Sequence, residues 1–226
     1  GPVRRKADRR RRCNKRLCFR NGHVQRDAME RAVANGTFDQ VPFKDMRSNL
    51  LEVLQIVDLM KGETSVDRRI AANEQFYGWG SLLRCSLTGW RKKNDIWGYG
   101  CESRVVIDAM KDPGGKPFFK NCVRRFLIGL SERTRAVILL GNDNNYMKEV
   151  RKVAAQVFAD YRPGPGPSSF TADGRTFVHV AHPSGTNGYR GEFLTGSIEK
   201  GQGAKREEAR DAIRAALAGC PEWNLL

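Results

Sequence analysis

No stretch of this chain approaches the ~20 consecutive apolar residues that a membrane-spanning helix requires. The arginine-rich N-terminus has no apolar core behind it of the kind a secretory signal carries. A soluble, intracellular and cytoplasmic protein is therefore expected. Neither a G-x-G-x-x-G fingerprint nor a Walker phosphate loop occurs, so a nucleotide-binding α/β enzyme would have to use the Leu139-Leu140-Gly141-Asn142 segment as its phosphate loop. Six cysteines without a secretory signal do not make a disulfide framework, which leaves reduced thiols or a metal-type site open. Acidic side chains are the scarcer sign of charge, with 25 Asp and Glu against 40 Lys and Arg.

The resulting formal charge of +15 creates a field that draws in a polyanion and neutralises phosphates on contact, so nucleic acid is the expected partner. The basic run over residues 3–16 holds too few apolar side chains to bury. It reads either as a solvated arm or as a phosphate-contacting one. With 226 residues and 40% apolar content, the remainder is long enough for one core. The expected organisation is a basic arm over 1–22 and an α/β domain over 23–226, acting as a monomer.

Apolar spacing predicts helices over Val24–Ala34, Arg47–Met60, Ser65–Asn73, Phe118–Leu130, Asn144–Ala159 and Ala204–Leu217. Buried strands are predicted over Ser81–Leu87, Arg135–Leu140 and Thr176–Ala181. The segment 91–115 is rich in turn signals around a helix at Arg104–Met110 and reads as an insertion. Residues 163–169 break the preceding helix, and Asp173-Gly174 is a tight-turn signal. Strands alternating with helices predict a three-layer α-β-α sandwich with a mostly parallel central sheet, whose ligands sit at the carboxyl ends of the strands.

Two strands run into polar, glycine-containing loops, and these carry the chemistry. In the second loop Pro183 stiffens the backbone, Ser184 offers a hydroxyl and an N–H, and His182 supplies a donor for an anion forming on a leaving group. Gly185, Gly188 and Gly191 permit close approach of DNA to the backbone, and Asn187, Tyr189 and Arg190 are candidates to enter a groove or contact phosphate. His23 and His179 lack such neighbours and read as structural or surface residues.

His182-Pro183-Ser184-Gly185 after an apolar strand resembles the second signature motif of the uracil-DNA glycosylase superfamily. The order of a strand ending in Arg84-Cys85, a helix bearing Cys122, the Val137-to-Gly141 strand, a further helix and the His-Pro-Ser loop is similar to the iron–sulfur branch of bacteria and archaea. The resemblance covers roughly residues 41–195. It implies base flipping, entry of the His182 loop into the minor groove and hydrolysis of the N-glycosidic bond. His182 would stabilise the departing base, Ser184 and adjacent amides would hold a phosphate, and Tyr189 or Arg190 would fill the vacated space. Phe43 stands where the family stacks a ring on the flipped base, although a core aromatic beside a helix start is an equal reading.

Two departures bear on activity. Where uracil-reading relatives place an Asn before the Arg-Cys pair, this chain has Ser81, which lacks the amide's paired donor and acceptor. The expected substrate is thus a modified base rather than uracil. The outline is similar to bacterial anti-phage glycosylases that excise glucosylated hydroxymethylcytosine, and leaves repair and antiviral roles both open. The first family motif, which positions the catalytic water, is not recognisable. Gly1-Pro2 fits either its last trace or an expression remnant, and Asp39, Asp45 or an unexpected residue would take the place of its water-positioning carboxylate or Asn. Without one, the chain would be a catalytically silent DNA-binding module. The resemblance also implies a [4Fe–4S] cluster on Cys85 and Cys122, with Cys13 and Cys18 completing the set, although the spacings differ from the family's; small core residues are the other reading.

Overall fold

The Ala136-to-Leu140 run is apolar at every position, and its side chains alternate between two cores. The computed structural model describes residues 43, 45–71, 74–80, 82, 89–93, 96–100 and 103–220, all within the unit Asp39–Leu226. The helices are α1 (Arg47–Gln55), α2 (Asp67–Ile70), α3 (Ser103–Lys111), α4 (Lys116–Leu127), α5 (Asn144–Val157), α6 (Arg190–Thr195) and α7 (Gly201–Leu217). The strands are β1 (Gly89–Lys93), β2 (Ile96–Gly100), β3 (Ala136–Leu140), β4 (Arg162–Pro163), β5 (Ser169–Ala172) and β6 (Arg175–Val180). The basic arm, the helix expected at Val24–Ala34 and most of the strand expected at Ser81–Leu87 lie outside the described residues.

Ile138 and Leu140 of β3 join Val178 and Val180 of β6 in a core with Leu50, Val53 and Leu54 of α1, Phe193 of α6, and Ala209 and Ile213 of α7. Val137, Leu139 and Phe177 point the other way, into a core with Met110, Phe119, Val123, Val150 and Val153 from α3, α4 and α5. The period-two alternation of a strand thus sends successive side chains to opposite faces, and helices cover both. The protein is α/β, as its alternating pattern predicts.

The sheet corrects one expectation. Its order is β3-β6-β5-β4, and among the described residues only β3 and β6 run parallel, while β5 pairs with both β6 and β4 antiparallel. The cause lies in Asp173-Gly174: both residues adopt left-handed conformations, with φ of 52° and 67°. Such a two-residue turn joins antiparallel neighbours, because a parallel return needs a crossover of a dozen residues or more. Arg175 reinforces the hairpin with its guanidinium on the Asp173 carboxylate and on the carbonyls of Leu130 and Ser131. A separate two-stranded sheet, β1 with β2, overlaps the start of the segment read as an insertion, with Gly89 and Trp90 preceding it.

Helix α1 is shorter than its apolar spacing predicts. It stops at Gln55, and Asp58 and Met60 take left-handed φ of 67° and 54°. Leu59 and Met60 are still buried, so the apolar pattern continues through an irregular turn. Arg210 of α7 caps the exit, donating from Nε and Nη2 to the Ile56 carbonyl at 3.1 and 2.7 Å. Arg214 holds the Asp58 carboxylate at 2.5 Å. A carbonyl left without an intrahelical partner therefore acquires one from a cationic side chain.

Candidate active site

The parallel pair brings the carboxyl ends of β3 and β6 together, and the Gly141 N–H donates to the Val180 carbonyl at 2.8 Å. Two loops leave from this point, Gly141-Asn142-Asp143 and Ala181 to Tyr189. Gly141 has φ of 134°, and a Cβ there would sit 2.8 Å from the Tyr146 ring. Only glycine fits, both for its backbone and for its neighbour. Asp143 caps α5, accepting from Asn145 N and Tyr146 N at 2.9 and 3.0 Å.

Ala181 and Pro183 are buried, so the second loop is anchored before it emerges. Asn49 of α1 donates its amide to the Pro183 carbonyl at 2.9 Å. His182 lies between these anchors, half-buried, and its Nδ1 accepts the Ser184 N–H at 3.1 Å. An imidazole that accepts at Nδ1 carries its proton on Nε2 in the neutral form. Burial lowers the pKa of His182 below its ordinary 6.5, which favours that neutral form. The result is a neutral ring with an N–H donor on the side away from the loop backbone.

The rest of the loop is organised by its own bonds. Asn187 donates Nδ2 to the His182 carbonyl at 2.9 Å and accepts the Tyr189 N–H at 3.1 Å, so its amide is a strut inside the loop. Ser184 Oγ pairs with Thr186 Oγ1 at 2.9 Å and accepts the Thr186 N–H at 3.3 Å. Arg190 is held by Glu52 of α1 at 2.6 Å. Tyr189 is exposed, and a Cβ at Gly185 or Gly188 would meet nothing within 4 Å, so this edge of the loop is open to a partner. Phe43 packs edge-on against Trp79 with ring centroids 5.3 Å apart, and Trp79 donates its indole N–H to the Arg69 carbonyl.

The polar partners that Asn142 meets at this end of the sheet were not anticipated. Asn142 is buried and donates to Gln202 Oε1 at 2.7 Å, while Lys205 Nζ donates to the Asn142 carbonyl at 2.9 Å. Burial lowers the Lys205 pKa, against the pull of Asp143, Glu192 and Glu208. Glu192 accepts the Gln202 N–H at 3.0 Å. Asn142 belongs to one of the two polar strand-end loops, but nothing local in the sequence distinguishes Gln202 or Asn49 from ordinary helix-surface residues. His179 is fully buried in the strand and bonds through Nδ1 to the Gly141 carbonyl at 2.8 Å. Its pKa is pushed down to about 4, chiefly by burial.

Ser81, Asp39, Cys13, Cys18 and Cys85 lie outside the described residues. Cys122 is a half-buried free thiol on α4. Among the described residues no three His, Cys, Asp or Glu side chains converge as metal ligands. No described helix is long and apolar enough to cross a membrane. No protein-family model, curated protein or solved structure matches the chain.

Proposed function

We propose that this chain is a DNA glycosylase of the uracil-DNA glycosylase type, with His182 as the group that stabilises the departing base. The observation that carries the reading is the Ser184 N–H on Nδ1 of His182, which leaves Nε2–H to donate. A neutral donor suits N-glycosidic cleavage, in which the bond between base and C1′ breaks, the base takes the electron pair and negative charge spreads from its ring nitrogen to the adjacent carbonyl oxygen. Water then bonds to C1′ and gives up a proton that ends on the departed base, so the products are an abasic sugar bearing the hydroxyl and the neutral free base. The excess of basic charge supports DNA as the partner. A modified base is the proposed leaving group, because Ser81 stands where uracil readers carry an amide.

A catalytically silent DNA-binding module is the second reading. It is favoured by the use of the Asp143 carboxylate as a helix cap and by the exposure of Asp45, which leave no described carboxylate assigned to the water. Mass spectrometry of free base decides between them, with DNA containing uracil, no modification, or glucosylated hydroxymethylcytosine as substrate. Release from the modified DNA alone, reduced about 100-fold or more in His182→Ala, supports the glycosylase. Tight, salt-sensitive binding with no base released from any substrate supports the silent module.

A further inference from the structure

Two hydrogen bonds at the His182 loop meet on one peptide unit. Asn49 of α1 donates its amide to the Pro183 carbonyl at 2.9 Å, and the Ser184 N–H donates to His182 Nδ1 at 3.1 Å. The Pro183 carbonyl and the Ser184 N–H are the two ends of the same planar trans peptide, so they point in opposite directions and turn together. A side chain from a helix is thereby joined to the imidazole through a single rigid plate.

The neighbouring residues explain why the plate needs holding. Proline has no N–H, so Ser184 carries the first backbone donor after His182. The pyrrolidine ring fixes φ at Pro183 but leaves its ψ free, and rotation about that bond and about φ of Ser184 is what turns the plate. Gly185 follows, and a Cβ added there would meet nothing within 4 Å, so packing at that residue does not restrain the turn. The bonds of Ser184 with Thr186, and of Asn187 with His182 and Tyr189, lie within the loop and move with it. Asn49 differs, because Leu50, Val53 and Leu54 of its helix are buried and tie it to the core. A donor on the carbonyl also polarises the peptide and strengthens its N–H as a donor to the ring.

We propose that Asn49 is a positioning residue for His182: by holding the Pro183 carbonyl it aims the Ser184 N–H at Nδ1, and so keeps the ring's proton on Nε2. Without that hold the peptide turns, Nδ1 becomes open to a proton, and Nε2 is no longer a fixed donor. The consequence for base release rests on the glycosylase reading, whereas the consequence for the ring does not.

The test is nitrogen NMR of the full chain at neutral pH, with His182→Ala identifying the ring signals, together with the kinetics of base release from the modified DNA. The parent is expected to show scalar coupling between Ser184 N and His182 Nδ1 across their hydrogen bond. Asn49→Leu removes the donor at similar size. It is expected to abolish the coupling and to speed exchange of the Ser184 N–H about fivefold or more. Its kcat for base release is expected to fall about tenfold or more with KM little changed. Glu52→Gln cuts a second polar link between α1 and the loop, the ion pair with Arg190, and is expected to keep the coupling. Full coupling with parental exchange in Asn49→Leu, equal losses in both variants, or a parental kcat despite lost coupling overturns the proposal. Coupling that depends on Asn49 in a chain that releases no base overturns the glycosylase reading and upholds the hold on the ring. Base release with coupling independent of Asn49 does the reverse. Unchanged thermal unfolding verifies that each variant is folded, and Asn49→Ala replaces Asn49→Leu if that variant is not.

Discussion

The backbone N–H of Ser184 reaches Nδ1 of His182 across 3.1 Å, a contact between residues two apart that determines which ring nitrogen carries the proton. Nitrogen NMR at neutral pH is expected to show Nδ1 unprotonated and Nε2 protonated. Burial lowers the pKa, so the ring becomes an imidazolium only at a pH below its ordinary 6.5. Protonation puts a second N–H opposite that of Ser184 and breaks the bond. The neutral form and the loop geometry should therefore be lost together as the pH falls. A ring protonated at Nδ1 at neutral pH would contradict this assignment.

The parts of the molecule that rest on near neighbours were legible in the sequence. The unbroken apolar run of Ala136–Leu140 was enough to anticipate a strand, and Asp173-Gly174 was enough to anticipate a turn, because each is decided within a few residues. Among the described residues the sheet is mostly antiparallel, which the expectation missed because the turn signal was not carried into the topology: a two-residue connection sets β5 and β6 antiparallel. At the site, His182 and its loop could be found from local pattern. The struts could not, since Asn49 and Pro183 are separated by 134 positions and Glu52 and Arg190 by 138. No spacing rule reaches across such distances, and Arg190 therefore looked free when it is paired.

Acid should weaken the fold through His179. Its pKa is about 4 in the folded protein against 6.5 for the ordinary side chain, because burial disfavours the cation. Between those values the unfolded chain binds a proton that the folded chain does not. Stability contributed by this group is thus complete above about 6.5 and falls as the pH drops toward 4. At roughly 1.4 kcal/mol per pKa unit, the loss is on the order of 3 kcal/mol. Urea unfolding at several pH values should show this slope in the parent and lose most of it in His179→Gln. A variant with the same slope would assign the effect to other groups.

Two glycines should differ in how they tolerate a methyl group. Gly174 has φ of 67°, and a Cβ added there would meet nothing within 4 Å, so Gly174→Ala encounters only backbone strain, about 1 to 2 kcal/mol. Gly141 combines φ of 134° with a Tyr146 ring atom at 2.8 Å, and that ring packs at 89° to His179. Gly141→Ala must add overpacking of roughly 1 to 3 kcal/mol to the strain. Denaturant midpoints should therefore rank Gly141→Ala well below Gly174→Ala. The opposite order would mean that Tyr146 yields freely.

Releasing Arg190 should strengthen binding to DNA. Glu52 holds its guanidinium at 2.6 Å, and the carboxylate is itself 54% exposed, so the pair is worth only about 0 to 1 kcal/mol to the fold. Glu52→Gln removes the competing charge, adds one net positive charge beside the His182 loop and keeps the side chain's size. If this edge of the loop meets the phosphate backbone, duplex affinity should rise, with the salt slope steeper by about 0.9 for one added phosphate contact. Arg190→Gln in the same background should return the slope to that of the parent. A Glu52→Gln variant with unaltered slope would mean that Arg190 faces away from the DNA, leaving Tyr189 and the open backbone at Gly185 and Gly188 as the loop's contribution to the interface.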